Sequence, residues 1–183
     1  MDNVTIYEFL REKGKIPTGP GHYNNSTEIA NSITVGTSAD GEDIDALLDG
    51  SITEISSDVK RLRGGAFYDC TKLTKVNFPN ITQVPGSCFF ECTALERLDF
   101  PQVTLILPGA FRECTSLTAL VLRSPTVAEV QGINYSNPFE STPIQSGTGY
   151  IYVPDELVDS YKAANGWSKY ANQIKGISEL PTE

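Results

Sequence analysis

The sequence lacks several features that would place the protein in common functional classes. Its longest apolar runs, such as 103–108, are a few residues long, far below the roughly 20 residues that cross a bilayer. Only 14 Lys and Arg stand against 23 Asp and Glu, which gives a net charge of -9 without any basic run. Such a chain would repel a phosphate backbone. We therefore expect neither membrane insertion nor nucleic-acid binding.

Residues for catalysis and metal binding are also scarce. The one histidine, His22, has no Ser or Cys partner in a recognisable setting, and nucleophile elbows and phosphate loops are missing. The acidic run 40–45 does not follow the order of a calcium loop, so it is interpreted as a solvated turn. Residues 1–14 carry no basic leader before an apolar stretch, and no signal peptide is expected. The sequence predicts no enzyme, no cofactor and no metal site.

What the sequence does contain is a pattern that recurs every 22 residues between Gly65 and Leu122. The link between copies repeats as well, because Ile81 and Val84 match Val103 and Ile106, and a half-repeat with Val59 and Leu62 precedes the first copy. The matched positions within the copies are all apolar or thiol: Phe67, Phe89 and Phe111; Cys70, Cys92 and Cys114; Leu73, Leu95 and Leu117; Val76, Leu98 and Leu120; Phe78, Phe100 and Leu122.

The spacing inside each copy indicates its local structure. Leu-x-x-Val-x-Phe places the last two apolar side chains on one side of a short strand. Ala-Phe-x-x-Cys-x-x-Leu has apolar residues at steps of three, which favours a helical or 3₁₀ turn over a second strand. We therefore predict one strand per coil, and stacked coils that form continuous Phe, Cys and Leu ladders. The fold class is a right-handed repeat solenoid with a parallel β-sheet and short helical turns.

The pattern Ala-Phe-x-x-Cys-x-x-Leu-x-x-Val-x-Phe-Pro resembles the BspA-like (Treponema-type) class of bacterial leucine-rich repeats. The resemblance is strong over 59–122, and Asn137 to Ile144 followed by Ile151-Tyr-Val-Pro154 is interpreted as a degenerate last copy. Residues 150–167 also resemble the C-terminal segment of BspA-like proteins from gut bacteria and their prophages. The resemblance implies adhesion and the binding of proteins or glycans.

The chain divides into three predicted regions. Residues 1–45 form an N-terminal arm and linker, 46–154 form the leucine-rich-repeat solenoid including its N-terminal cap, and 155–183 form a C-terminal helical cap. In the arm, Ile6, Phe9 and Leu10 share one helical face, so the arm either folds back on the solenoid or anchors the protein to a larger body. In the C-terminal region, a helix is predicted to end at Gly166, and a second helical stretch follows at 167–174.

The four cysteines are interpreted as buried apolar side chains. Cys70, Cys92 and Cys114 would stack in parallel, which is a poor geometry for a disulfide bond. Cys88 occupies a position that alanine fills in the other copies, so it is predicted to lie in the core. A zinc site at Cys88 and Cys92 would lack further ligands.

The remaining candidate site is the outward face of the predicted sheet. Mixed charge beside an aromatic side chain suits recognition, although a solvated sheet face without a partner remains the alternative. The candidate binding residues are Lys75, Asn77, Arg97, Asp99, Val121 and Tyr152.

Three functions fit these features. The first is a binding module on a phage or prophage virion, attached to capsid or tail proteins through the arm and contacting a host-surface protein or glycan. The others are a bacterial cell-surface adhesin and a cytoplasmic protein-interaction scaffold. Homo-oligomerisation is left open, because no sustained heptad supports it.

Overall fold

The computed structural model describes residues 53–56, 60–62 and 64–182. The predicted arm with Ile6, Phe9 and Leu10 lies outside the described residues, as do His22 and residues 43–52 of the N-terminal cap predicted at 43–55.

Within the described part of the chain, the regular elements are short strands and a few short helices. The strands are β1 (Glu54–Ser56), β2 (Lys75–Asn77), β3 (Gln83–Val84), β4 (Arg97–Phe100), β5 (Leu105–Ile106), β6 (Ala119–Leu122), β7 (Glu129–Val130), β8 (Tyr150–Val153) and β9 (Ile174–Gly176). The α-helices are α1 (Pro143–Ser146) and α2 (Val158–Ala163), and the 3₁₀ helices are Asp155–Leu157, Trp167–Gln173 and Ile177–Glu179.

The strands form three parallel sheets, ordered β1-β2, β3-β5-β7 and β4-β6-β8-β9. The 22-residue period appears directly in the pairing, because Leu98 of β4 stands opposite Leu120 of β6. Ile151 of β8 stands opposite Leu120, so β8 takes the next place in the same sheet. Equivalent residues of successive repeats therefore lie side by side.

The prediction of one strand per coil is wrong for these repeats, because the link residues form the second sheet, β3-β5-β7. Its buried members are Val84, Ile106 and Val130, with Val84 opposite Ile106 and Ile106 opposite Val130. Stacked backbones in one register satisfy their N–H and C=O groups by pairing with each other, and β-branched residues suit that extended geometry.

The segment between the two strands of a coil makes successive turns, in each of which an N–H donates to the carbonyl three residues earlier. The three-residue spacing of its apolar side chains predicts such turns. In the first copy, the Cys70 N–H donates to the Phe67 carbonyl at 3.2 Å, and the Leu73 N–H donates to the Cys70 carbonyl at 3.1 Å. The steps do not join into a helix, because Asp69 has a φ of 59° and reverses the local handedness. Neighbouring coils are joined here too, since the Phe67 N–H donates to the Cys88 carbonyl at 2.8 Å.

A ladder of phenylalanine rings runs through the core. Ring centroids are 5.3 Å apart for Phe67 and Phe89, 6.0 Å for Phe89 and Phe111, and 5.8 Å for Phe111 and Phe139. All four side chains are fully buried. Phe139 follows Phe111 by 28 positions instead of 22, yet its ring continues the stack. The extra residues are therefore accommodated in the loop before it.

The C-terminal segment packs on the last rung of this ladder. Trp167 lies 6.0 Å from Phe139 between ring centroids, and Tyr170 lies 5.2 Å from it. The predicted helix before Gly166 is present as a 3₁₀ turn followed by α2, and Gly166 has a φ of 80°. The second helical stretch ends at Gln173, one residue before the predicted end, because Ile174 begins β9 and pairs with Ile151.

Candidate binding surface

Polar side chains of β2 and β4 lie on the outward side of two neighbouring strands. Lys75 and Asn77 of β2 are exposed, and Arg97 and Asp99 of β4 are half-buried. The residues that alternate with Arg97 and Asp99 in β4 belong to the buried core. Because successive side chains of a strand point to opposite faces, Arg97 and Asp99 point away from that core. β2 contacts β4, so the sequence pattern brings these four polar side chains to neighbouring strands.

Two of the six predicted residues are not accessible on this face. Val121 is 0% exposed and Tyr152 is 4% exposed, although neither belongs to the core cluster. Val121 stands directly between Asp99 and Tyr152, and Tyr152 stands between Val121 and Lys175. The Asp99 and Tyr152 side chains, about 4.8 Å away on each side, shield the short side chain of Val121. Tyr152 packs against the Tyr150 ring, with centroids 6.3 Å apart. The expectation that Val121 and Tyr152 are exposed for binding is therefore wrong.

An ion-pair network orders the middle of the face. Arg123 donates to Asp99 through Nε at 2.8 Å and through Nη2 at 2.7 Å, a bidentate contact. Arg97 Nη2 lies 3.5 Å from Asp99 Oδ2. Hydrogen bonding to Asp99 is the main cause that raises the pKa of Arg123. Between 31% and 40% of each side chain remains exposed, so the network fixes geometry more than it contributes stability.

The far edge of the face is aromatic and contains a residue that the sequence analysis missed. Lys175 of β9 places Nζ 3.9 Å from the centroid of the Tyr150 ring, a cation–π contact. It also lies 4.0 Å from a carboxylate oxygen of Glu179. The short segment 174–176 has no alternating pattern of its own, so only its pairing with β8 reveals Lys175 as a member of this face.

The four cysteines are free and buried. Burial raises the pKa of the Cys70 thiol to about 11 and that of Cys114 to about 12. The pKa values of Cys88 and Cys92 are also raised, again mainly by burial. Cys114 donates a hydrogen bond to the Phe89 carbonyl at 2.9 Å. The thiols are therefore protonated near neutral pH, which makes them poor nucleophiles.

One open depression of about 580 Å³ lies beside α1. It offers hydrogen-bonding groups but no acid, base or thiol, so its chemistry suits contact with a polar ligand and not proton transfer. Its lining consists of Thr115, Ser141, Thr142, Pro143, Gln145, Ser146 and Thr148. Among the described residues, no group of three or more His, Cys, Asp or Glu side chains is arranged to hold a metal ion.

Comparison with known families connects this architecture to a repeat class. The BspA type leucine-rich repeat region matches residues 50–153 in six copies, which is more than half of the chain. The chain belongs to the BspA-type leucine-rich repeat family. Comparison with curated proteins gives no match.

The BspA-type family is associated with a general type of function. Leucine-rich repeats are typically non-catalytic modules that bind other proteins, and BspA-type proteins are typically associated with surfaces. No enzyme family was found for this chain. Within the described residues, no helix combines the length and the apolar character needed to cross a membrane.

Proposed function

We propose that the protein is a non-catalytic binding module whose sheet face contacts a partner protein or a surface glycan. The observation that carries this proposal is the alignment of Lys75, Asn77, Arg97 and Asp99 on one side of neighbouring strands. Polar groups carried on a rigid sheet lose little backbone freedom on binding, so the conformational entropy cost is confined mainly to their side chains. The backbone pairing between coils provides that rigidity.

We also propose that the repeats form one right-handed solenoid and that 155–182 cap its C-terminal end. Support comes from the parallel pairing of β4, β6, β8 and β9 and from the packing of Trp167 on Phe139. A terminal repeat needs such a cover, because its apolar face would otherwise meet water.

A charge-matched pair of double variants tests the binding face. Lys75→Glu/Asn77→Asp changes two exposed residues of the face, and Lys169→Glu/Asn172→Asp makes the same chemical changes at two exposed positions of the C-terminal segment. Both variants and the wild type are applied to a bacterial glycan array and to immobilised host outer-surface extract. We expect the affinity of the face variant to fall by about tenfold or more, because the loss of two contact residues that each contribute about 0.7 kcal/mol of binding free energy has this effect.

The control variant is expected to bind like the wild type, which separates a local contact from the effect of net charge. Equal binding by all three proteins, with folding verified by circular dichroism, would show that this face is not the binding site.

The place of display is proposed from sequence alone to be the surface of a phage or prophage virion, with 1–45 as the attachment arm. Its support is the resemblance of 150–167 to segments found in prophage genes and the apolar face of Ile6, Phe9 and Leu10. Mass spectrometry of purified particles, washed cells and cytosol from the native source provides the test. Enrichment with capsid or tail proteins is expected, whereas recovery only from cell surfaces or only from cytosol would favour the adhesin or the scaffold.

A further inference from the structure

A second surface lies on the turns, away from the sheet face. In each turn, one side chain directly follows the buried phenylalanine of the ladder, and these side chains form a row of their own. Tyr68 and Phe90 stack with ring centroids 4.6 Å apart and an interplanar angle of 8°. The guanidinium carbon of Arg112 lies 5.7 Å from the centroid of Phe90. Three successive repeats thus place tyrosine, phenylalanine and arginine side by side outside the core.

The row already contains one arginine bound by its own repeats. Arg112 lies over the Phe90 ring, its Nε is 3.2 Å from Glu140 Oε2, and it is 3.8 Å from Glu113 Oε1. An aromatic face combined with nearby carboxylates is the environment that a planar guanidinium favours. The C-terminal part of the row therefore holds an arginine by ring stacking and ion pairing, and its Nε makes no hydrogen bond within the described residues.

The N-terminal end of the row also combines an aromatic ring with carboxylates, but no arginine of the described residues is paired with them. Tyr68 keeps 48% of its surface exposed, one of two large hydrophobic side chains in the described residues that are so exposed. Asp69 and Glu91 follow Tyr68 and Phe90 directly in the chain. No ion pair within the described part of the chain engages either carboxylate. The net charge of -9 adds a long-range attraction for a basic partner.

We propose that Tyr68, with the carboxylates of Asp69 and Glu91, binds an arginine side chain presented by a partner protein. The guanidinium stacks on the face of the Tyr68 ring that Phe90 leaves open and pairs with the carboxylates. This surface is separate from Lys75, Asn77, Arg97 and Asp99, so it stands or fails independently of the sheet face.

Titration with short peptides, followed by two-dimensional NMR of the full chain, tests the proposal. The probes are acetyl-tetra-arginine amide and acetyl-tetra-lysine amide. They carry equal charge, but the guanidinium groups of arginine are planar and the ammonium groups of lysine are not. We expect the arginine peptide to shift the resonances of 68–69 and 90–91 and to bind about two- to fivefold more tightly than the lysine peptide, the range for one exposed cation–π contact.

Two variants remove the two proposed components separately. Tyr68→Leu removes the aromatic ring but keeps an apolar cover on Phe90, and Asp69→Asn removes the charge in a side chain that tolerates the φ of 59°. Each is expected to weaken binding of the arginine peptide by about two- to fivefold. Tyr135→Leu, which changes a tyrosine that is 80% exposed elsewhere, is the matched control and is expected to leave the affinity unchanged.

Three results would overturn the proposal: equal affinity for the two peptides, shifts that map away from 68–69 and 90–91, or wild-type binding by Tyr68→Leu. The sheet-face variant Lys75→Glu/Asn77→Asp is titrated alongside them. Retained arginine-peptide binding in that variant is expected, and a loss there would instead assign the peptide to the sheet face.

Discussion

Asp69, Glu91 and Glu113 occupy the same place in three consecutive turns, with φ values of 59°, 58° and 61°. A second place with positive φ holds Gly65 and Gly109 in the first and third copies, at 67° and 68°, but Ser87 in the second, at 52°. An L-residue in this conformation costs roughly 1–2 kcal/mol, whereas glycine adopts it without that cost. Ser87 is therefore a strained position within an otherwise regular repeat.

Replacing Ser87 by glycine is expected to stabilise the fold by about 0.5–1 kcal/mol, because the relief of strain exceeds the added entropy of the unfolded chain. Chemical denaturation measures the change. Gly65→Ala, which introduces the strain at the equivalent place, is expected to destabilise by roughly 1–2 kcal/mol. A lower stability of Ser87→Gly would mean that the serine side chain makes a compensating contact.

The thiols provide a second prediction for single residues. Because the pKa of Cys70 is raised to about 11 and that of Cys114 to about 12, the folded state retains their protons at a pH where the unfolded chain, with an ordinary value of 9.0, loses them. The free energy of unfolding is therefore expected to fall as the pH rises from about 9 toward 11, at up to about 1.4 kcal/mol per pH unit for each thiol.

Reaction with a thiol reagent at pH 8 checks the same protection. The native protein is expected to react slowly, and four thiols are expected to react after unfolding. Cys88→Ala matches Ala66 and Ala110 in the neighbouring repeats and should lower that number to three while keeping the fold. If the thiols of the native protein were labelled as fast as those of a denatured control, the burial of the four cysteines would be contradicted.

At the scale of elements, the C-terminal segment is joined to the repeats by hydrogen bonds as well as by ring packing. The Tyr161 hydroxyl accepts from the Ala128 N–H at 2.9 Å, and Trp167 Nε1 donates to the Ala128 carbonyl. The Tyr170 hydroxyl donates to Asn137 Oδ1 at 2.9 Å. The loop residues Ala128 and Asn137 precede the last phenylalanine rung, so α2 and the following 3₁₀ helix satisfy buried polar groups that the repeats leave open.

Tyr161→Phe tests this role. The substitution keeps the ring but leaves the buried Ala128 N–H without its acceptor, which is expected to cost about 1–3 kcal/mol of stability. Thermal and chemical unfolding measure the loss. Tyr135→Phe removes the same hydroxyl from an 80% exposed side chain and is expected to change stability by less than about 0.5 kcal/mol. Similar effects in both variants would argue against the buried hydrogen bond.

At the scale of the whole molecule, stability is distributed over interfaces between equivalent coils. Pairing with an offset of 22 residues means that removal of one complete unit restores the same contacts between its neighbours. Deletion of 87–108 joins Gly86 to Gly109 and recreates the Gly64-Gly65 sequence of the first copy.

We expect the protein lacking 87–108 to fold cooperatively, with a lower stability and a smaller denaturant m-value because less surface is buried. Deletion of 88–108 leaves one extra residue in a turn whose N–H groups pair with the next coil, so it is expected to be less stable than deletion of 87–108. Circular dichroism and urea unfolding distinguish the two. Equal behaviour of both deletions would show that the coils do not behave as interchangeable units.

The sequence by itself determined the repeat, its period, the buried ladders and the repeat family, because apolar residues such as Phe67, Phe89 and Phe111 recur in register and have no other place to be buried. It also identified Lys75, Asn77, Arg97 and Asp99 as outward residues, since alternation along a strand is a local property.

Only the tertiary structure decided the remaining features. The second sheet and β9 arise because stacked backbones pair with each other, and such pairing has no strong local pattern in two- or three-residue strands. The burial of Val121 and Tyr152 depends on the neighbouring strands, and Lys175 reaches the face through residues distant in sequence. Local spacing specifies which way a side chain points, whereas its accessibility depends on what the rest of the chain places beside it.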